Sequence, residues 1–141
     1  MTPPWKDARL YQEQPEPLLY LCHPVAPYTA YQAGDPFTVE ANVANARAWL
    51  RWLRELPPML RRKLDLPGDA LFFCPWIDDV AHGDDSDPAA RAAGLRLDEV
   101  IARRCDAVVL VGGKISSGMT MEATACGYAY DLTGLGREPP P

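Results

Sequence analysis

The sequence predicts a three-layer α/β domain: a parallel sheet of about four or five strands with helices on both faces. Three observations carry this. Short, continuously apolar runs recur along the chain, and such runs are strands buried on both faces. Segments of helical periodicity separate them. A polar, loop-rich stretch follows each apolar run. The 141 residues suit one domain.

The elements follow in order. Residues 1–17 read as a disordered or extended N-terminal segment, with Pro3, Pro4, Pro15 and Pro17. Leu18-Leu19-Tyr20-Leu21-Cys22 is a first buried strand that stops at His23-Pro24. A Pro-, Gly- and Tyr-rich loop runs from Pro24 to Pro36. Val39, Val43, Ala46, Leu50 and Leu53 share one helical face, so an amphipathic helix spans about Thr38 to Leu56 and ends at Pro57-Pro58. Arg47, Arg51 and Arg54 lie on its solvated face. Ala70 to Trp76 is the second strand, and Asp78 to Asp87 is an acidic loop with His82. Asp87-Pro88 opens a helix to about Arg104, its apolar stripe being Leu97, Val100, Ile101 and Cys105. Asp106 to Gly112 is the third strand, and Gly112 to Gly118 a small-residue loop. A last helix covers about Thr120 to Tyr130, which closes a domain of residues 18–133. Residues 134–141 form a Pro-rich tail. This order is that of a flavodoxin-like fold, with ligands bound where the strand C-termini meet.

Composition narrows the function. A net charge of −5 and a pI near 4.9 disfavour a polyanionic nucleic acid as partner. A single phosphate remains possible, because helix N-termini bind one without net charge. No apolar run approaches the roughly 18 residues of a membrane helix. The N-terminus has no apolar export core, and no Cys-x-x-Cys pair occurs among Cys22, Cys74, Cys105 and Cys126. Reduced thiols and a cytoplasmic location are expected. His23 and His82 lack zinc-ligand spacing, and the acidic loop lacks the order of a calcium loop. No metal and no cofactor is expected.

Two carboxylates stand out. Glu122 falls in the first turn of the last helix, after Ser116-Ser117-Gly118, where the helix dipole keeps a carboxylate ionised. It reads as a nucleophile, or as half of a capping pair with Thr120 or Ser117. Asp98 lies beside the apolar stripe of its helix with Gly94 one turn earlier, which leaves open space beside it. It reads as a general acid or base with a raised pKa, or as an exposed partner of Arg91 or Arg103. Ser116, Ser117 and Gly118 offer donors to an anion. His23, Tyr28 and Asp78 are candidate lining groups; a loop tyrosine packed on the domain and a histidine satisfied by backbone are the other readings of His23 and Tyr28.

The stretch from Asp98 to Glu122 resembles the nucleoside 2-deoxyribosyltransferases and the related nucleoside 5′-monophosphate N-glycosidases. In that superfamily a helical aspartate precedes by eight residues an aspartate that opens a strand, as Asp98 precedes Asp106. A Ser-x-Gly-x-x-x-Glu pattern then carries the nucleophile, filled here by Ser116, Gly118 and Glu122. The 24 residues from Asp98 to Glu122 match the nucleotide-acting branch. Asn42 and Ala46 match an Asn-x-x-x-Ala helix of short bacterial and phage relatives. The resemblance implies N-glycosidic bond cleavage or exchange, with a nucleoside or its 5′-monophosphate as substrate and a homodimer or higher homo-oligomer as the working form. A catalytically silent nucleotide-binding module on the same fold is the alternative. A flavin carrier fits worse, since its first loop needs Ser and Thr where this chain has His23-Pro24.

Overall fold

The computed structural model describes residues 16–25, 38–77 and 88–141. Four parallel strands form one sheet in the order β2-β1-β3-β4. They are β1 (Leu18–Cys22), β2 (Leu71–Phe73), β3 (Ala107–Leu110) and β4 (Ala129–Asp131). β1 is central: Tyr20 pairs with Phe73 on one side and Val108 on the other. β3 pairs with β4 from Val108–Ala129 to Leu110–Asp131. The helices are α1 (Val39–Glu55), α2 (Pro58–Lys63), α3 (Pro88–Arg103) and α4 (Ser117–Cys126). The connection from β1 to β2 runs one way across the sheet, and those to β3 and β4 run the other. Right-handed crossovers therefore place α1 on one face and α3 with α4 on the opposite face. α3 and α4 pack on each other, and α4 packs on β3. This is the flavodoxin-like three-layer arrangement the apolar runs predict. Among the described residues no helix is long and apolar enough to cross a membrane.

α1 begins where its sequence caps it: Thr38 Oγ1 accepts from the Ala41 amide at 3.1 Å. Its buried face is Asn42, Ala46, Trp49 and Leu53. The predicted stripe was slightly rotated from this, and Val43 and Leu50 are only half-buried. Pro57 ends α1, but Pro58 then opens α2, since a proline at the first helical position loses no hydrogen bond. Arg61 of α2 donates to the Leu53 and Arg54 carbonyls of α1 and to those of Gly68 and Ala70 before β2. Arg54, on the face expected to be solvated, donates to the Phe72 carbonyl of β2.

Two elements end earlier than the sequence reading. β2 stops at Phe73, short of Pro75, which has no amide to continue a ladder. The last helix ends at Cys126 because Gly127 takes the left-handed conformation, φ 89°. Residues Ala129–Asp131 form β4, where the helix was expected to run on to about Tyr130. The Pro-rich tail, which begins within a 3-10 turn at Thr133–Leu135, is anchored through Arg137. The Arg137 carbonyl accepts from Trp49 Nε1 at 2.7 Å and Asn45 Nδ2 at 2.8 Å, and its guanidinium donates to Asn42 Oδ1. The tail thus lies along α1, held by three side chains of that helix.

Candidate functional site

Strand alternation sorts the side chains of β1. Leu19 and Leu21 face one layer; Tyr20 and Cys22 face the other, and all four are fully buried. The Tyr20 ring meets Phe73 of β2 edge-on at 5.8 Å. Above this face run α3 and α4. On α3 the inward positions are Asp98 and Ala102, four apart on one helical face, and Cys105 follows just beyond the helix end. Leu97, predicted to be buried, is 48% exposed. That rotation turns Asp98 inward, half-buried. On α4 the buried residues are Met119 and Glu122. Because α3 packs on α4, the two carboxylates converge, and each acts on the Tyr20 hydroxyl and on the Cys22 and Cys74 thiols.

Glu122 departs from its predicted setting. α4 starts three residues before Thr120, with Ser116 as its cap: Ser116 Oγ accepts from the Met119 amide at 3.2 Å. Glu122 therefore sits in the second turn, 7% exposed, beyond the strongest reach of the helix dipole. It is not part of the cap. Burial pushes its carboxyl up to about 7, and the charge of Asp98 adds to this, while contacts with Tyr20 and Cys22 work against it. Instead of a carboxylate held ionised, the fold holds one balanced near neutrality.

The cluster is short of hydrogen bonds. The Tyr20 phenol lies against the Glu122 carboxyl and favours its charge. No aligned bond joins them: neither Tyr20 Oη nor Glu122 Oε2 has a hydrogen-bond partner among the described residues. Burial and the two carboxylates hold Tyr20 above its ordinary value, so it stays a phenol and a donor. The same causes, burial first, keep Cys22 a thiol. Beside Asp98, a Cβ built on Gly94 meets nothing within 4 Å, which matches the open space inferred there.

The remaining predicted residues are placed as follows. Ser116 uses its hydroxyl on the cap. Ser117 and Gly118 are the first two residues of α4, whose amides have no intrahelical acceptor. The loop before them turns on Gly112 and Gly113, with φ 99° and 81°. His23 is 2% exposed with both ring nitrogens committed. Nδ1 donates to the Pro24 carbonyl at 2.6 Å, and Nε2 accepts from Asn45 Nδ2 at 2.8 Å. Burial first, then the nearby Arg137, lower it to about 4, against the raising effect of the Pro24 contact. His23 is thus a neutral post joining β1, α1 and the tail, the backbone-satisfied alternative. Tyr28, Asp78 and the acidic loop lie outside the described residues. Among the described residues no group of three or more His, Cys, Asp or Glu is placed to hold a metal ion. Tyr20, Cys22 and Cys74 were not singled out from sequence. The available signal was a phenol and a thiol two apart in an otherwise aliphatic strand.

Fold and cluster together define a class: a flavodoxin-like α/β domain with two coupled carboxylates under its sheet. Residues 77–129 match a family model described as "Domain of unknown function (DUF7768)". The match takes in both Asp98 and Glu122, with α3, β3 and α4. No curated protein and no solved structure matches the chain.

Proposed function

We propose that this domain binds a nucleoside or nucleoside 5′-monophosphate and cleaves or exchanges its N-glycosidic bond, with Glu122 as nucleophile. One observation carries the reading. A buried Glu122 oxygen and the buried Tyr20 phenol oxygen, from different elements, have no hydrogen-bond partner among the described residues. Each such atom costs roughly 1–3 kcal/mol. Groups of this kind persist where a ligand uses them.

The chemistry is that of a retaining glycosidase applied to a C–N bond. The ionised Glu122 carboxylate attacks the anomeric carbon as the bond to the base breaks. Asp98 orients the sugar or delivers the proton the departing base takes up. Water, or a second base, then attacks the same carbon and releases Glu122 as a carboxylate. The amides of Ser117 and Gly118, opening α4, are suited to a 5′-phosphate. Nothing in this scheme calls on a cofactor. A cytoplasmic location and a homodimer or higher homo-oligomer complete the proposal.

A second reading, a silent nucleotide-binding module, is favoured by one fact: Glu122 is only 7% exposed and neutral about half the time near pH 7. Incubation with a panel of nucleosides and their 5′-monophosphates, with free base followed by chromatography, separates the two. The enzyme reading expects base release that Glu122→Gln abolishes. Binding of a nucleotide without release supports the module, and equal affinity for nucleoside and monophosphate removes the phosphate site.

A further inference from the structure

An open sheet has two edges, and here they differ. The Leu71 amide of β2 donates to the Pro17 carbonyl, so the alternate residues Ala70 and Phe72 point their backbone groups away from β1. Guanidinium groups close off both of those carbonyls. Arg61 Nη1 donates to Ala70 at 3.0 Å, and Arg54 Nη2 donates to Phe72 at 2.8 Å. An edge sealed by charged side chains is a poor template for another strand. β4 is the other edge. The Val108 amide donates to the Tyr128 carbonyl, and the Leu132 amide to the Leu110 carbonyl. The outward residues of β4 are therefore Ala129 and Asp131, both exposed. Among the described residues no segment covers them: after β4 the chain turns at Thr133–Leu135 and lies against Gly113 and α1. The one charge on the strand does not guard the edge, because Asp131 Oδ1 accepts from the Thr133 amide and hydroxyl. Tyr128 and Tyr130 stand beside it as an edge-to-face pair, centroids 5.1 Å apart, with Tyr128 58% exposed.

We infer that this edge takes the β4 strand of a second copy of the chain, antiparallel across a two-fold axis. The inference rests on the homo-oligomer proposed above and names its interface. With β2 sealed, β4 is the strand that a copy presents in return, and such a pairing closes at two copies. Charge and hydrogen bonding fix the register. With Ala129 of one copy opposite Asp131 of the other, the outward amides and carbonyls exchange two hydrogen bonds, and symmetry repeats them. A pairing centred on Asp131 sets two carboxylates against each other, and one centred on Ala129 leaves Asp131 facing Gly127. In the favoured register the two Tyr130 residues meet at the closer spacing, about 4.5 Å between Cα atoms. The Tyr128 rings pack beside them, and aromatic cross-strand pairs of this kind stabilise a sheet.

The test is sedimentation equilibrium over a hundredfold range of concentration, joined to amide hydrogen exchange. The contact lies at the small end of specific interfaces, so the parent shifts from the mass of one chain toward that of two as concentration rises. The Ala129 and Asp131 amides slow by about tenfold or more over the same range, while the outward Phe72 amide does not. Ala129→Pro removes an outward donor and no bond of the β3–β4 ladder, so it stays monomeric with an unchanged far-UV spectrum. Charge substitutions at the same exposed position read the register and need no proline. Ala129→Lys sets a cation opposite Asp131 and tightens the dimer about two- to thirtyfold, whereas Ala129→Glu weakens it by a similar factor. Equal effects of lysine and glutamate overturn the proposal. So does an oligomer that persists in the folded proline variant, and the homo-oligomer then stands with a different interface. A parent that stays monomeric throughout overturns both.

Discussion

Glu122→Gln is expected to stabilise the protein at neutral pH while removing its chemistry. Burial, reinforced by Asp98, raises the Glu122 carboxyl from its ordinary 4.5 to about 7. The folded state therefore holds this proton more tightly than the unfolded chain does. Its contribution to stability is present below pH 4.5 and is lost as pH rises through 7. At about 1.4 kcal/mol per tenfold difference in proton affinity, the loss is about 3 kcal/mol. His23 works in the opposite sense: lowered from 6.5 to about 4, it contributes above pH 6.5 and loses that contribution as pH falls to 4. Between about pH 4.5 and 6.5 the two slopes nearly cancel in the parent. Glutamine mimics the neutral acid at every pH, so the variant keeps only the His23 slope. Urea unfolding at pH 4.5, 5.5, 6.5 and 7.5 reads the difference. The variant gains on the parent steadily with pH, by about 3 kcal/mol at pH 7.5, or roughly 8–12 °C in Tm for a domain of this size. A difference that stays constant across this range refutes the reasoning, because Glu122 then binds its proton equally in both states.

Three further outcomes follow from the same geometry. Asp98→Asn removes a negative charge acting on Glu122, so the midpoint of Glu122, read by carbon-13 NMR, moves down toward the ordinary carboxylate range. Gly112→Ala places a Cβ at φ 99° within 2.8 Å of the His23 ring and 2.9 Å of Pro24 Cδ; it costs about 2–4 kcal/mol in urea unfolding, whereas Gly118→Ala, whose nearest contact is 3.9 Å away, costs under about 1 kcal/mol. Removing residues 137–141 takes the carbonyl acceptor from Trp49 Nε1 and Asn45, and thermal melting falls by an amount equivalent to about 1–3 kcal/mol.

The layers were legible because burial on both faces leaves a direct trace: Leu18 to Cys22 and the run before Gly112 are apolar at every position, and only a covered parallel sheet needs that. Thr38 and Pro57 announced the ends of α1 by their side-chain chemistry. β4 was not legible. Tyr128-Ala129-Tyr130 lies on the sheet edge with only partial burial, so it has no continuous apolar run, and Met121 and Ala125 before it extend a plausible helical pattern. Gly127 was the one mark of the break. Asp98 and Glu122 were visible as spaced carboxylates, but their surroundings were not. A one-residue rotation of α3 exposes Leu97 and turns Asp98 inward, and periodicity resolves no finer angle than that. The start of α4 depended on Ser116 outcompeting Ser117 and Thr120 for the cap, three residues of nearly equal merit. Tyr20 and Cys22 were hidden by their own neighbours, since a phenol and a thiol count as apolar in a strand until a carboxyl is packed against them.

The contact between His23 and Gly112 also has an evolutionary side. The imidazole occupies the space a side chain at 112 would need, and it is the ring nitrogen that receives Asn45, which in turn helps seat the tail on α1. A lineage that gains any side chain at 112 must first give up the ring at 23, and with it one anchor of a segment more than 100 residues away in sequence. Gly112 is therefore expected to be kept in every descendant of this chain that keeps the ring at 23.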